Sequence, residues 1–290
     1  VAASNGEYNG FNQLKKIHEV RTQSGALVSR SEGDRTTSYD SQGRTKRDHS
    51  VMVSDNGVTV DKDYLVASYN ELGRASAERT VTVQAGVDAG GNTAYSIRTV
   101  SEKSAMGYDG NGRLAGSKET VVSSDRPDVA TTTVWESRGF NGNNQSAGYV
   151  ETKSETNPAG INRTLTVRSG VSYDLKGRTT GYRDTTTGTA DKLTETLDWS
   201  SAGFTSAGQT TGVEEVRHRA SGDASSPYDV TTTVRKTGMG YDLAGNLTGY
   251  DQETRGSDSP DLKTAVKWTG SYDSLNRLSA SREETHNTDA

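Results

Sequence analysis

The residues of this sequence whose types suit chemistry are four histidines, two acidic doublets, a glycine-rich run and three tryptophans. His18, His49, His218 and His286 are scattered, and no H-x-H or H-x-x-x-H pair spells a metal site. "DHS" (Asp48 to Ser50) and "RHR" (Arg217 to Arg219) fall in strand-like stretches with no partner placed by spacing, so they read as strand histidines. Glu214-Glu215 and Glu283-Glu284 would point their carboxylates to opposite faces of a strand, which separates a general acid from its base. "GNGRLAG" (Gly110 to Gly116) has glycines misspaced for a dinucleotide loop and lies between two strands instead of opening a helix. Asp-rich loops and a "DGNG" stretch suit calcium, yet neither an EF-hand loop nor the glycine-rich calcium nonapeptide is present, so no cofactor is expected. Trp135, Trp199 and Trp268 could stack on a cell-surface glycan; packing between neighbouring elements accounts for them as well and is preferred. An enzyme is the least supported reading.

Composition narrows the classes further. Only 30% of the 290 residues are hydrophobic and mean hydropathy is −0.80, against about 45–50% apolar, glycine included, in an ordinary domain. A net charge of −5 with no basic stripe argues against nucleic acid. No run approaches the ~18 apolar residues of a membrane helix, so no membrane insertion is expected, and "VAASNGEYNG" lacks the parts of a signal peptide. The absence of cysteine removes disulfides, zinc ribbons and thiol catalysis together.

What positions any side chain here is a repeat. An aromatic, then Asp or Asn, two free positions, then Gly or Asn, recurs from end to end. The clear copies are "YDSQGR" (Tyr39, Asp40, Gly43, Arg44), "YNELGR" (Tyr69, Asn70, Gly73, Arg74), "YDGNGR" (Tyr108, Asp109, Gly112, Arg113), "YDLKGR" (Tyr173, Asp174, Gly177, Arg178), "YDLAGN" (Tyr241, Asp242, Gly245) and "YDSLNR" (Tyr272, Asp273, Asn276, Arg277). Weaker ones are "YNGFNQ" (Tyr8, Asn12), "FNGNNQ" (Phe140, Asn144) and "FTSAGQ" (Phe204, Gly208). Successive anchors are 31, 30, 39, 32, 33, 31, 37 and 31 residues apart, so nine units cover residues 1–290 as one array without a second domain.

Each copy reads as a hairpin tip. The Asp or Asn side chain accepts backbone N–H bonds, the next pair turns, and the Gly takes the left-handed conformation; where Gly is absent, at Asn12, Asn144 and Asn276, the substitute is Asn, which tolerates positive φ best. Flanks such as "ATTTVWESRGF" and "VTTTVRKTGMGY" alternate with period two and are rich in Thr and Val, as strands are. Counting the aromatic as position 0, the turn sets it opposite +6. Asp at +1 and Arg at +5 should pair across the tip, and +8, which is Gly or Ala in seven units, should share the aromatic's face so that the ring covers it. "DAGGN" (Asp88 to Asn92), "TTGTAD" (Thr186 to Asp191) and "SGDASSPYD" (Ser221 to Asp229) are among the variable loops at the far ends.

"YDxxGR" followed by Leu or Thr resembles the YD repeat, also called the RHS repeat, of bacterial polymorphic toxins, insecticidal toxin complexes and teneurins, here with a longer period near 31. The resemblance implies a long β-sheet coiled into a spiral, solenoid or shell, and either a shell enclosing a toxin or a surface or adhesion role. The fold expected is therefore all-β, a repetitive antiparallel hairpin array. The function expected is a structural extracellular or cell-surface protein, part of a fibre, stalk or sheath that forms a homo-polymer or longer array through edge strands. A toxin-enclosing shell and a glycan-binding adhesin are the alternatives.

Overall fold

The computed structural model describes residues 2–23, 29–88, 90, 92–190, 192–223 and 227–289; parts of the three far loops quoted above lie outside the described residues. Among the described residues every regular element is a strand, eighteen of them, antiparallel, and none is a helix. Strands flank each tip in turn. β1 (Ala2–Tyr8) and β2 (Leu14–Gln23) enclose the first, β3 (Ser29–Tyr39) and β4 (Thr45–Ser54) the second, β5 (Thr59–Tyr69) and β6 (Ala75–Val87) the third. β7 (Thr93–Tyr108) and β8 (Leu114–Ser123) follow, then β9 (Arg126–Ser137) and β10 (Tyr149–Asn157), β11 (Gly160–Tyr173) and β12 (Thr179–Gly188). β13 (Leu193–Phe204) and β14 (Thr210–Ser221), β15 (Asp229–Tyr241) and β16 (Leu247–Gly256), and β17 (Ser259–Tyr272) and β18 (Leu278–Asp289) complete the series.

The tips follow the turn chemistry. In each the residue at +4 has positive φ, from 59° at Asn276 to 91° at Gly208 and Gly245, and no β-branched residue takes that place. The amide at +4 donates to the carbonyl at +1, and the amide at +1 to the carbonyl at +5, for example Gly43 N to Asp40 O at 3.0 Å and Asp40 N to Arg44 O at 2.8 Å. The aromatic pairs with +6 throughout, as in Tyr39 with Thr45 and Tyr241 with Leu247, and at the irregular fifth tip as an isolated bridge between Phe140 and Ser146.

One expectation fails just beyond the tip. Register shifts by one residue between positions −1 and 0, so +8 pairs with −1, as in Ser68 with Ala77 and Gly240 with Gly249. Neighbours alternate faces, so this bulge puts +8 on the face opposite the aromatic and no Tyr ring covers it. What keeps +8 small is the next strand: a Cβ on Gly148 would stand 2.2 Å from the Arg168 carbonyl oxygen, and one on Gly212 2.8 Å from that of Lys236. Aromatic cover of a glycine occurs elsewhere, where Tyr95 lies over its cross-strand partner Gly86.

The chain divides into two compact units, Val1–Val134 with Lys153–Ile161, and Trp135–Thr152 with Asn162–Ala290. Neither has a conventional core. Among the described residues Val66 and Val100 are the buried hydrophobic side chains, Val100 between its cross-strand partners Val81 and Val122. Most other strand residues are half-buried on both faces, so ladders and side-chain pairs carry the stabilisation that burial supplies in other folds.

Charge pairs take over part of that role through a dipeptide used twice. In the first unit, Arg47-Asp48 on β4 reaches both ways: Asp48 accepts from Arg35 on β3 at 2.8 Å and Arg47 donates to Asp63 on β5 at 2.5 Å. In the second, Arg183-Asp184 on β12 does the same, Asp184 accepting from Arg168 on β11 at 2.7 Å and Arg183 donating to Asp198 on β13 at 2.6 Å. Because successive side chains point to opposite faces, each dipeptide ties three strands from both sides of the sheet. β4 and β12 are four hairpins apart, but the dipeptides are 136 residues apart and begin at +8 and +10 of their tips, whereas Tyr8, Phe140 and Tyr272 stand 132 residues apart at each step.

A second irregularity precedes three tips. Ala105, Gly170 and Gly238, three residues before their tyrosines, have φ of 51°, 61° and 62° and sit in a second register shift. Ala105 is exposed and pays the left-handed strain that its glycine counterparts avoid. Ala105→Gly is expected to raise stability by up to about 1 kcal/mol in urea unfolding, and Gly238→Ala to lower it comparably; a destabilised Ala105→Gly would show that the strain is absent.

Candidate functional site

The side chains the array brings together are those of its tips. At eight of the nine, one oxygen of the +1 Asp or Asn accepts from the amides of +3 and +5, as Asp109 does from Asn111 at 3.0 Å and Arg113 at 2.9 Å; at the ninth, Thr205 accepts from Gln209 alone at 3.2 Å. The rest of the +1 group selects the residue at +5. Asp40, Asp109, Asp174 and Asp273 each take the Nε of an Arg at 2.7 Å. Asn9 and Asn141 instead donate to the Oε1 of Gln13 and Gln145, at 2.9 and 2.7 Å, and Thr205 to that of Gln209 at 3.1 Å. The Arg guanidinium and amide hold the Asp109, Asp174 and Asp273 carboxyls below the usual carboxylate value of 3.8.

Successive tips are then joined in two ways. The tyrosine hydroxyl of one tip donates to the +6 carbonyl of the tip before it: Tyr39 to Leu14 at 2.8 Å, Tyr69 to Thr45, Tyr108 to Ala75 at 2.7 Å, Tyr173 to Ser146 at 2.9 Å and Tyr241 to Thr210 at 3.0 Å. In the other direction the +5 side chain reaches the following tip. Arg44 lies over the Tyr69 ring at 4.1 Å, Arg74 over Tyr108 at 5.6 Å and Arg178 over Phe204 at 4.2 Å. Gln13 donates to the Gly43 carbonyl at 2.7 Å, and Asn246 to the Asn276 side chain at 3.1 Å. Glycine at +4 therefore also makes room: a Cβ on Gly112 would stand 2.1 Å from the Arg74 guanidinium.

Spacing alone named the aromatic, the +1 residue, the +4 residue and five of the arginines. It missed Gln13, Gln145, Gln209 and Asn246 as members of the same set, although Gln follows Asn or Thr and Arg mostly follows Asp. It also missed that the tyrosine hydroxyl has a task, for which the excess of 13 Tyr over three Phe was the signal.

The other candidates stand apart from the tips. His18, His49 and His218 each meet an aspartate across a strand, Asp34, Asp61 and Asp229, at 2.9, 2.9 and 2.8 Å. Among the described residues no group of three His, Asp or Glu is placed to hold a metal ion. Trp199 stacks on its cross-strand partner Tyr182 at 5.3 Å, and Trp268 on Tyr250 at 5.6 Å, while Trp135 lies tilted beside Tyr149 at 6.5 Å. Arg168 caps the other face of the Tyr182 ring at 3.9 Å, so that ring shows only its edge to solvent. The depression that Tyr39 and Tyr69 line contains the Arg35 and Asp48 pair, at 2.8 Å.

No protein-family model matches the chain, and no curated protein matches it either. The geometry defines a class, a repetitive antiparallel hairpin array, and what the array does rests on its own chemistry.

Two measurements probe the tips. Tyr108→Phe removes the bond to Ala75 and little else, and is expected to cost about 0.5–1.5 kcal/mol in chemical unfolding; Tyr8→Phe, whose hydroxyl bonds no described residue, is expected to cost nothing measurable, and equal losses would sink this account. The depressed carboxyls set the acid response. Their folded-state values lie below 3.8, so their contribution is complete at neutral pH, begins to fall as pH drops below about 4 and is gone below the folded-state values. Thermal melts from pH 7 to 2 should be flat at first and then decline; a melting temperature that held constant below pH 4 would contradict the pairing.

Proposed function

We propose that this chain is a structural β-repeat protein, part of an extracellular or cell-surface fibre, stalk or sheath that lengthens by adding hairpin to hairpin. The observation that carries the reading is the two-way coupling of successive tips, tyrosine hydroxyl backward and +5 side chain forward. A hairpin of about thirty residues with almost no buried apolar surface is marginal alone. Its stability comes from its neighbours, as in other linear repeats, and such arrays suit spanning and scaffolding. Hydroxyl-rich, charge-paired faces with low hydropathy fit an element that meets water along its length.

The YD-type resemblance supports the same sheet with a different closure, a coil that encloses a toxin. Electron microscopy of the native material separates the two. Filaments with a regular axial repeat are the expected result, and closed hollow particles would replace the fibre reading with the shell.

A further inference from the structure

On the face of the first unit that carries the Arg35 and Asp48 pair, one depression of about 690 Å³ stays open across β2 to β6. Three cations line it, Arg21, Arg35 and Lys62, against one carboxylate, Asp48. The nearby carboxylates are engaged. Asp48 accepts from Arg35 at 2.8 Å and from the Thr37 hydroxyl at 2.9 Å, and Glu19, buried at 8% exposure, accepts from Arg21 at 2.5 Å. Lys62 by contrast is exposed, and neither its ammonium nor the Ser50 hydroxyl beside it has a partner among the described residues. The second unit closes over its own version of this pair: Arg168, bonded to Asp184, is covered by the rings of Tyr149 at 5.3 Å and Tyr182 at 3.9 Å. Arg35 lies under no ring among the described residues, and no guanidinium covers Tyr39, because Gln13 stands where Arg44 stands over Tyr69.

We infer that this depression binds an acidic saccharide, a short stretch of polymer bearing carboxylates or sulfates. Lys62 and the Ser50 hydroxyl donate to the anionic group, and the uncovered Tyr39 ring gives the C–H face of a sugar an apolar wall. Arg21 and Arg35 are held by Glu19 and Asp48 before a ligand arrives, so little side-chain freedom is lost on binding. The three cations stand on three different strands, so a ligand that meets them all crosses strands, which suits an oligomer rather than a single ion. The hydroxyls favour a sugar over an acidic side chain. Thr37 and Tyr64 already donate, to Asp48 and Glu78, and keep lone pairs to which a sugar hydroxyl can donate and a carboxylate cannot. The chain as a whole is acidic, at −5, so a polyanion has no general attraction to it and must be held locally.

Isothermal titration calorimetry of the 290-residue chain tests this with oligogalacturonate, dextran sulfate, unsubstituted dextran and poly-glutamate, comparing wild type, Lys62→Ala and Lys118→Ala. Lys118 is exposed on the opposite face of the same unit and controls for the loss of one positive charge. At least one of the two acidic saccharides is expected to bind more tightly than dextran or poly-glutamate, and more weakly as salt rises. Lys62→Ala is expected to weaken that binding about tenfold or more and Lys118→Ala to leave it within about twofold, with both variants melting as the wild type does. No binding of either acidic saccharide at roughly millimolar concentration would overturn the assignment. So would poly-glutamate bound as tightly, or equal affinities in the two variants; the structural role stands or falls separately, on the microscopy.

Discussion

The structure depends on one strained requirement: at the fifth residue of every tip the backbone must turn left-handed. Only glycine and asparagine meet it here, with φ between 59° and 91°. Once it is met, the +1 side chain can collect two amides, the aromatic falls opposite +6, and the bulge that follows reverses which residues face which side. The same glycine leaves open the space into which the previous tip's arginine or glutamine extends. A local conformational need and a contact between repeats thus rest on one atom's absence.

From this follows how a chain with so few apolar residues holds a large sheet. A core concentrates stabilisation in a few side chains shielded from water; here it is spread over short bonds between neighbours. The Arg-Asp dipeptides on β4 and β12 show the principle within strands, each using strand alternation to bond forward on one face and backward on the other. Half-exposed pairs of this kind are individually worth little, but bidentate geometry and recurrence give them weight. Tyrosine suits such an economy better than phenylalanine, because its ring gives a guanidinium something to cover while its hydroxyl holds the preceding strand.

The charge and polarity of the tips also bear on function. Four of the +1 and +5 pairs neutralise themselves as Asp with Arg and two join amide to amide, whereas Asn70 with Arg74 and Asp242 with Asn246 leave one charge of each sign, so the row of tips carries little net charge. Three of the four histidines and the three tryptophans are likewise engaged by aspartates and tyrosines. Side chains engaged with each other along the array support the structural role proposed above.

The all-β class, the nine tips and the 0-to-+6 pairing were legible in the residues because turn chemistry is local: the left-handed position admits few amino acids, and their spacing displays it. The +1 and +5 partnership was legible for the same reason, at four residues' separation. The face of +8 was not, because a single-residue bulge inverts alternation and leaves no mark in composition. Nor were the tyrosine hydroxyl bonds to Leu14, Ala75 and Thr210, the Arg-Asp clamps, or the stacking of Trp199 on Tyr182. Those join residues from about 13 to 33 positions apart, and only the register of one strand against the next, set by the turns together with the bulges, decides which of them meet.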